Sequence, residues 1–312
     1  MLNTAWLFPG QGAQSVGMAR DIFQQSAAAR DVFTRADAAL REPLSKLIFE
    51  GPEEELTLTE NAQPAIVTVS IAILAALQER LPSFASPAYA AGHSLGEYSA
   101  LVASGAMALE DAVRVVRARG KAMQAAVPTD AGAMAAFIGL TPEQVEAFCR
   151  EAACGEVIAP ANFNAPGQIV IAGARGAVMR ASELVEARGG KAIPLKVSAP
   201  FHCMLMKPAG AALERALASV TMASLAFPIV SNVEAQPNQD AARVSTLLVD
   251  QVHSPVRWEE SMRELRKLGV TRAFEIGPGK VLSGLAKRID KEMRCVSIFD
   301  MDSIERACGA VF

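Results

Sequence analysis

Apolar positions along this chain alternate between short continuous runs and longer stretches in which they return every third or fourth residue, a pattern that predicts strands and helices in turn. The run Thr4 to Phe8, "TAWLF", carries strand-type residues and meets Pro9-Gly10, predicting a strand that ends in a tight loop. Helical spacing follows from Met18 to Leu40, with Ile22, Val32 and Phe33 on the apolar side. The segment Pro64 to Leu77 is apolar all round, and about a dozen residues interrupted by Thr68 and Ser70 suit a buried helix better than a bilayer span. "PAYAAGHS" then reads as a short strand and "LGEYSALVASGAM" as a helix, with Leu95, Tyr98, Leu101 and Val102 at helical spacing. Ser94 therefore falls where a strand turns into a helix. A further helix starts near Glu110 and stops at Pro128, with Val113, Val116 and Met123 inward.

From Pro128 the texture changes. "GAMAAFIGL" predicts a strand, and "TPEQVEAFCREAA" a helix capped by Thr141 with Pro142 in its first turn. "EVIAPANFNAPGQIVIAGA" predicts a hairpin, "AVMRASELVEARGG" a helix closed by glycine, and "KAIPLKVSA" a last strand. The order β-α-β-β-α-β is that of a ferredoxin-like unit, so residues 128–198 are expected to form a small inserted subdomain. Residues 1–127 and 199–312 are expected to form one α/β main domain. Its later part is read as a helix after Met206, a strand "FPIVSNV", a helix from Trp258 to Leu268, strands "RAFEIGPG" and "RCVSIF", and a helix from Val281 between them. Such alternation implies a mainly parallel sheet covered on both faces.

Composition narrows the function classes. With 312 residues, 51% of them hydrophobic, the chain can bury a large core, and a net charge of −3 without basic runs argues against nucleic-acid or membrane partners. The five cysteines form no C-x-x-C pair or zinc-like cluster. Free thiols, no metal and a cytoplasmic location are the expectation, and the N-terminus has neither the basic nor the apolar region of a signal peptide. Nothing demands more than a monomer.

The stretch "AGHSLGEYSA" contains G-x-S-x-G, which chance alone produces about 0.1 times in a chain of this length, so position matters more than the motif. At a strand-to-helix turn it lifts a serine oxygen clear of a parallel sheet; the plain alternative is a helix-capping serine. A serine nucleophile needs a base within reach. His93 is adjacent and projects elsewhere, and His253 lies in the loop-like "QVHSPVRW". His202, in "SAPFHC", follows the strand where the chain re-enters the main sheet and is the best placed of the three.

Several motifs then coincide: "FPGQGAQ", "GHSLGE", "RGKAMQ", "NFNAPGQIVIAG", "APFHC" and "EIGPGKVL". In unbroken order over nearly the whole chain they resemble the malonyl-CoA:acyl carrier protein transacylases, whose α/β-hydrolase-like fold is shared by the acyltransferase domains of polyketide synthases. The resemblance implies Ser94 as the residue that is malonylated, His202 as its base, and the main-chain carbonyl of Gln251 as the acceptor that orients the imidazole. It implies an oxyanion hole from the backbone N–H groups of Gln11 and Leu95. Arg119 would point into the acyl pocket and grip the free carboxylate of malonate, leaving an acetyl group unable to satisfy a desolvated cation. Phe201 would crowd an α-methyl group, and Gln63, Asn162 and Met123 would line the pocket.

The implied reaction is a ping-pong transfer from malonyl-CoA to the phosphopantetheine thiol of an acyl carrier protein, without metal or redox cofactor. The acidic carrier would dock on cations drawn from Arg188, Lys191, Lys196, Lys280, Lys287 and Arg288. A serine hydrolase is the alternative of a different class, separated by Arg119; a non-catalytic scaffold is the other. A freestanding chain of this length fits a dissociated synthase system, in fatty-acid or polyketide synthesis.

Overall fold

The computed structural model describes residues 3–128 and 130–310. Residues 1–2 and 311–312 of the expected main domain, and Thr129 of the expected inserted segment, lie outside the described residues. Ten strands build two sheets: β1 (Thr4–Phe8), β2 (Tyr89–Gly92), β3 (Gly132–Ile138), β4 (Ile158–Ala165), β5 (Gln168–Ala174), β6 (Lys191–Pro194), β7 (Ile229–Val230), β8 (Pro237–Asn238), β9 (Arg272–Ile276) and β10 (Arg294–Ile298). The larger sheet has the order β10-β9-β1-β2-β7-β8 and is parallel except for the β7–β8 pair. Its central strand β1 is buried from Ala5 to Phe8, as a strand covered on both faces must be. The protein is thus a mixed α/β fold with a parallel-dominated sheet and a second, antiparallel one.

That second sheet has the order β4-β5-β3-β6, with every pairing antiparallel. The helices Pro142–Ala153 and Arg175–Ala187 join its strands. Side chains alternate along β3: Ala135 and Phe137 enter a core with Val145, Phe148 and Val178 of those helices. Met134, on the opposite face, belongs instead to the main core and lines a cavity there together with Val170 of β5. The small sheet therefore presents one face to its own helices and the other to the carboxyl edge of the large sheet.

The apolar segment is longer than its sequence pattern indicates. The helix runs Thr59–Arg80 with Pro64 inside it, and 22 residues are by length and apolarity enough to cross a membrane. It is nevertheless packed between the helices Ala27–Leu40 and Leu109–Ala125, and 78% of its most apolar window is buried within this chain. The helix expected from Met18 to Leu40 is two, Arg20–Gln25 and Ala27–Leu40, because Ser26 adopts an extended backbone and its Oγ accepts from the Ala29 N–H. "FPIVSNV" yields only the two-residue β7, since the residues after it turn towards the site described below. His253 is not in a loop. It ends the helix Ala241–His253, which Asp240 caps and which brings Gln251 under the site. The helices Leu44–Glu50, Glu53–Thr57 and Met301–Ala310 were not anticipated from the pattern.

Candidate active site

Ser94 follows β2 and precedes the helix Gly96–Ala103, with a left-handed φ of 49°. A non-glycine residue in that region is strained, and the flanking residues show why the turn can close. A Cβ on Gly92 would lie 1.9 Å from the Gly96 carbonyl carbon, and one on Gly96 would lie 2.0 Å from the Phe8 oxygen. Gly92 is therefore required by the close approach of β2 to the start of the helix, and Gly96 by the close approach of that helix to β1. The Ser94 N–H donates to Asn232 Oδ1 at 2.6 Å, while Asn232 Nδ2 donates to the Gly92 carbonyl at 2.7 Å, so one amide clamps both sides of the turn.

The Ser94 hydroxyl lies 2.7 Å from His202 Nε2, and His202 Nδ1 lies 2.9 Å from the Gln251 main-chain oxygen. That carbonyl can only accept, so Nδ1 carries the proton and Nε2 is left to accept from the serine. Burial, reinforced by the positive charge of Arg119, pushes the His202 pKa down to about 3. The imidazole is therefore neutral at neutral pH, with its Nε2 lone pair available to the Ser94 hydroxyl. His93 faces another way: its Nε2 meets Asn164 Oδ1 at 2.8 Å and its ring leans on Trp258.

Arg119, on the inward face of Leu109–Ala125, is 2% exposed. Its Nη1 donates to Gln63 Oε1 at 2.9 Å, and its Nη2 donates to Gln251 Oε1 at 2.9 Å and to Ser94 Oγ at 3.2 Å; Nε has no partner among the described residues. Behind this cation stands Glu97, one turn along the helix from Ser94. It accepts from the Asn232 N–H at 3.0 Å and from Gln251 Nε2 at 2.8 Å. Gln251 Nε2 also donates to the Ser94 carbonyl at 3.0 Å. Burial outweighs these donors and the attraction of Arg119, and raises the Glu97 pKa to about 7.

Ser94, His202 and Arg119 open on a cavity of about 490 Å³ between the two sheets. Gln11, Gln63, Met123, Asn162 and Phe201 line it as well. The Leu95 side chain does not; it is packed in the core, so only its backbone is available to the site. Neither the Leu95 nor the Gln11 N–H is taken by an acceptor among the described residues. The Gln11 side chain donates to Thr59 Oγ1, which in turn contacts Ser198 Oγ.

The expected docking cations have different surroundings. Lys196 lines the cavity, whereas Arg188 pairs with Glu151, Lys280 sits over Phe299 and Arg288 donates to Gln168. No group of three His, Cys, Asp or Glu able to hold a metal occurs among the described residues. Sequence reasoning gave no role to Asn232, Glu97, Asn164 or the Gln251 side chain. An acid on the otherwise buried helix Gly96–Ala103 was the one available signal.

A neutral imidazole bonded to a hydroxyl on a strained elbow, at the carboxyl edge of a parallel sheet and beside a deep cavity, defines a class: enzymes that carry acyl groups on a serine ester. The comparisons with known proteins make the class specific. The acyl transferase domain model matches residues 5–296. The malonyl CoA-acyl carrier protein transacylase of Bacillus subtilis is 47% identical over 98% of this chain and 96% of its own. The structure of an acyl-carrier-protein S-malonyltransferase from Burkholderia pseudomallei superposes with a TM-score of 0.95 at 44% identity, over 99% of this chain and 100% of that one. A malonyl-transacylase in complex with its type II PKS acyl-carrier protein gives 0.94 at 43% identity, over 98% of each chain. This chain belongs to the acyl transferase domain family.

Proposed function

We propose that the protein transfers a malonyl group from malonyl-CoA to the phosphopantetheine thiol of an acyl carrier protein, in fatty-acid or polyketide synthesis. Ser94 attacks the thioester while His202 Nε2 takes its proton; the tetrahedral oxyanion lies against the Gln11 and Leu95 N–H groups, a pair whose loss would cost about 3 kcal/mol per donor. His202 then returns the proton to the departing CoA sulfur. In the second half-reaction His202 deprotonates the carrier thiol, which displaces Ser94 from the malonyl ester, and the proton passes from His202 to the departing Ser94 oxygen. Gln251 holds the imidazole tautomer through its main chain, and Gln63, Asn162, Met123 and Phe201 shape the acyl pocket. Residues 128–198 act as an inserted subdomain forming one cavity wall, a reading supported by the second sheet lying between Gly132 and Pro194. One chain supplies every named group, so the chemistry needs no second copy, and Lys196 at the cavity is the cation best placed to meet an acidic carrier.

The observation that carries this reading is Arg119: a buried guanidinium 3.2 Å from the nucleophile has a role with an acyl group ending in a carboxylate and none with a neutral one. Intact-protein mass spectrometry after mixing with malonyl-CoA tests it. A malonyl adduct on Ser94, discharged by holo-carrier and absent in Ser94→Ala, is expected. Release of free malonate without a persistent adduct would instead identify a hydrolase.

A further inference from the structure

Arg119 has a second anionic neighbour besides the expected substrate. Glu97 and Arg119 do not touch; they share Gln251, whose Nε2 is held by the Glu97 carboxylate and whose Oε1 receives the Arg119 Nη2–H. The amide is thereby oriented, with its oxygen towards the cation. The titratable groups acting on Glu97 are Arg119, from the helix Leu109–Ala125, and Tyr98, from its own helix. The helix Ala241–His253 presents to it the uncharged Gln251, Val244 and Leu247, and the segment after β7 presents Asn232 and Ser231. A single buried cation thus serves as counter-charge to one buried carboxylate before any substrate enters.

We propose that Glu97 and the substrate carboxylate compete for Arg119 through Gln251, so that loading of a malonyl group on Ser94 is accompanied by uptake of one proton by Glu97. This rests on the malonyl reading above. When malonate draws the guanidinium's charge, the buried Glu97 carboxylate, 4% exposed, loses its compensating cation, and the neutral acid becomes the stable form. The proton comes from bulk buffer and the carboxylate oxygen receives it; the exchange otherwise releases only the thiolate fraction of CoA, which is common to malonyl and acetyl and is subtracted with the acetyl control. An acetyl group brings no charge and leaves Glu97 as it was.

Free Glu97 titrates at about 7, which sets the window. Below it the acid is already protonated and loading takes up nothing. Above it, and below the raised pKa of the malonyl-loaded form, uptake rises towards one proton per site, and the loading equilibrium for malonyl falls by up to tenfold per pH unit while that for acetyl stays flat.

The test is stopped-flow mixing of the full-length protein with malonyl-CoA at pH 8 in weak buffer with an indicator dye and no carrier. Mass spectrometry of the same samples counts adducts. Uptake approaching one proton per malonyl adduct is expected, with none for acetyl adducts and none for Glu97→Gln, whose amide oxygen keeps both hydrogen bonds but cannot titrate. Equal uptake with malonyl and acetyl, unchanged uptake in Glu97→Gln, or full malonyl adduct without uptake would overturn the proposal while leaving the malonyl reading intact. Absence of any malonyl adduct would overturn both. The malonyl-to-acetyl comparison on the unmodified protein decides the matter even if the variant does not fold.

Discussion

Replacing Arg119 separates what it does for the substrate from what it does for the fold. The guanidinium makes three bonds, to Gln63, Gln251 and Ser94, and retains the Nε–H and a second Nη1–H that no acceptor among the described residues takes. Acylation turns Ser94 Oγ into an ester oxygen, a weaker acceptor, and releases more of Nη2 for the malonyl carboxylate. Two charge-assisted bonds in a buried site are worth at least about 1.5 kcal/mol each, together about 3 kcal/mol, or roughly two powers of ten in rate. Truncation also strands Gln63 Oε1 and Gln251 Oε1, but that penalty is common to every acyl group and cancels in a ratio. In Arg119→Ala, and in Arg119→Met, which preserves more of the packing, kcat/KM for malonyl-CoA relative to acetyl-CoA is therefore expected to drop about 100-fold. Both rates are measured on samples whose thermal melting confirms folding. A ratio within about threefold of the wild-type value would show that this cation does not read the distal carboxylate, whatever happens to the absolute rates.

Gln251→Ala keeps the main-chain acceptor of His202 but removes the amide between Arg119, Glu97 and the Ser94 carbonyl; a loss of about 1–3 kcal/mol in stability by denaturant titration is expected, with His202 still neutral by NMR. Because the His202 pKa lies near 3, acyl transfer from acetyl-CoA should show no acid limb between pH 5 and 7.5; a limb at the ordinary imidazole value of about 6.5 would refute the buried, neutral base. Glu97 has a folded pKa raised above its unfolded one, so the stabilising effect of its proton is complete below about 4.5 and lost as pH rises through about 7. The stability of Glu97→Gln relative to wild type should accordingly improve across that interval and level off above it, as read from denaturation midpoints. Gly92→Ala and Gly96→Ala should each cost about 4 kcal/mol or more, since the added carbon meets backbone; Gly284→Ala, in the helix Val281–Ile289 with nothing within 4 Å, should be neutral or stabilising by up to about 1 kcal/mol.

The contrast between Ser94 and Glu97 shows what a sequence displays of such a site. Ser94 is set by neighbours in the chain: Gly92 and Gly96 permit the elbow, β2 leads in and a helix leads out, and all of this is written in ten consecutive residues. Short apolar runs and helical spacing likewise locate most elements, because period and capping are local; where Ser26 breaks a helix, a capping serine in mid-pattern was the overlooked cue. Glu97 sits in the same ten residues and shows nothing of its part, since that part depends on Asn232 and Gln251, 135 and 154 positions away. Gln251 is legible for its main-chain carbonyl alone; the part of its side chain is hidden by a helix that reads as a loop and by an amide whose two ends face opposite charges. Residues that perform chemistry are conspicuous by type and spacing, whereas those that set the charge around them are ordinary glutamates and amides made distinctive by burial. A buried cation beside the nucleophile is therefore the productive place to begin looking for them: Arg119 must be compensated within a few ångströms, and following its bonds outward leads through Gln251 to Glu97.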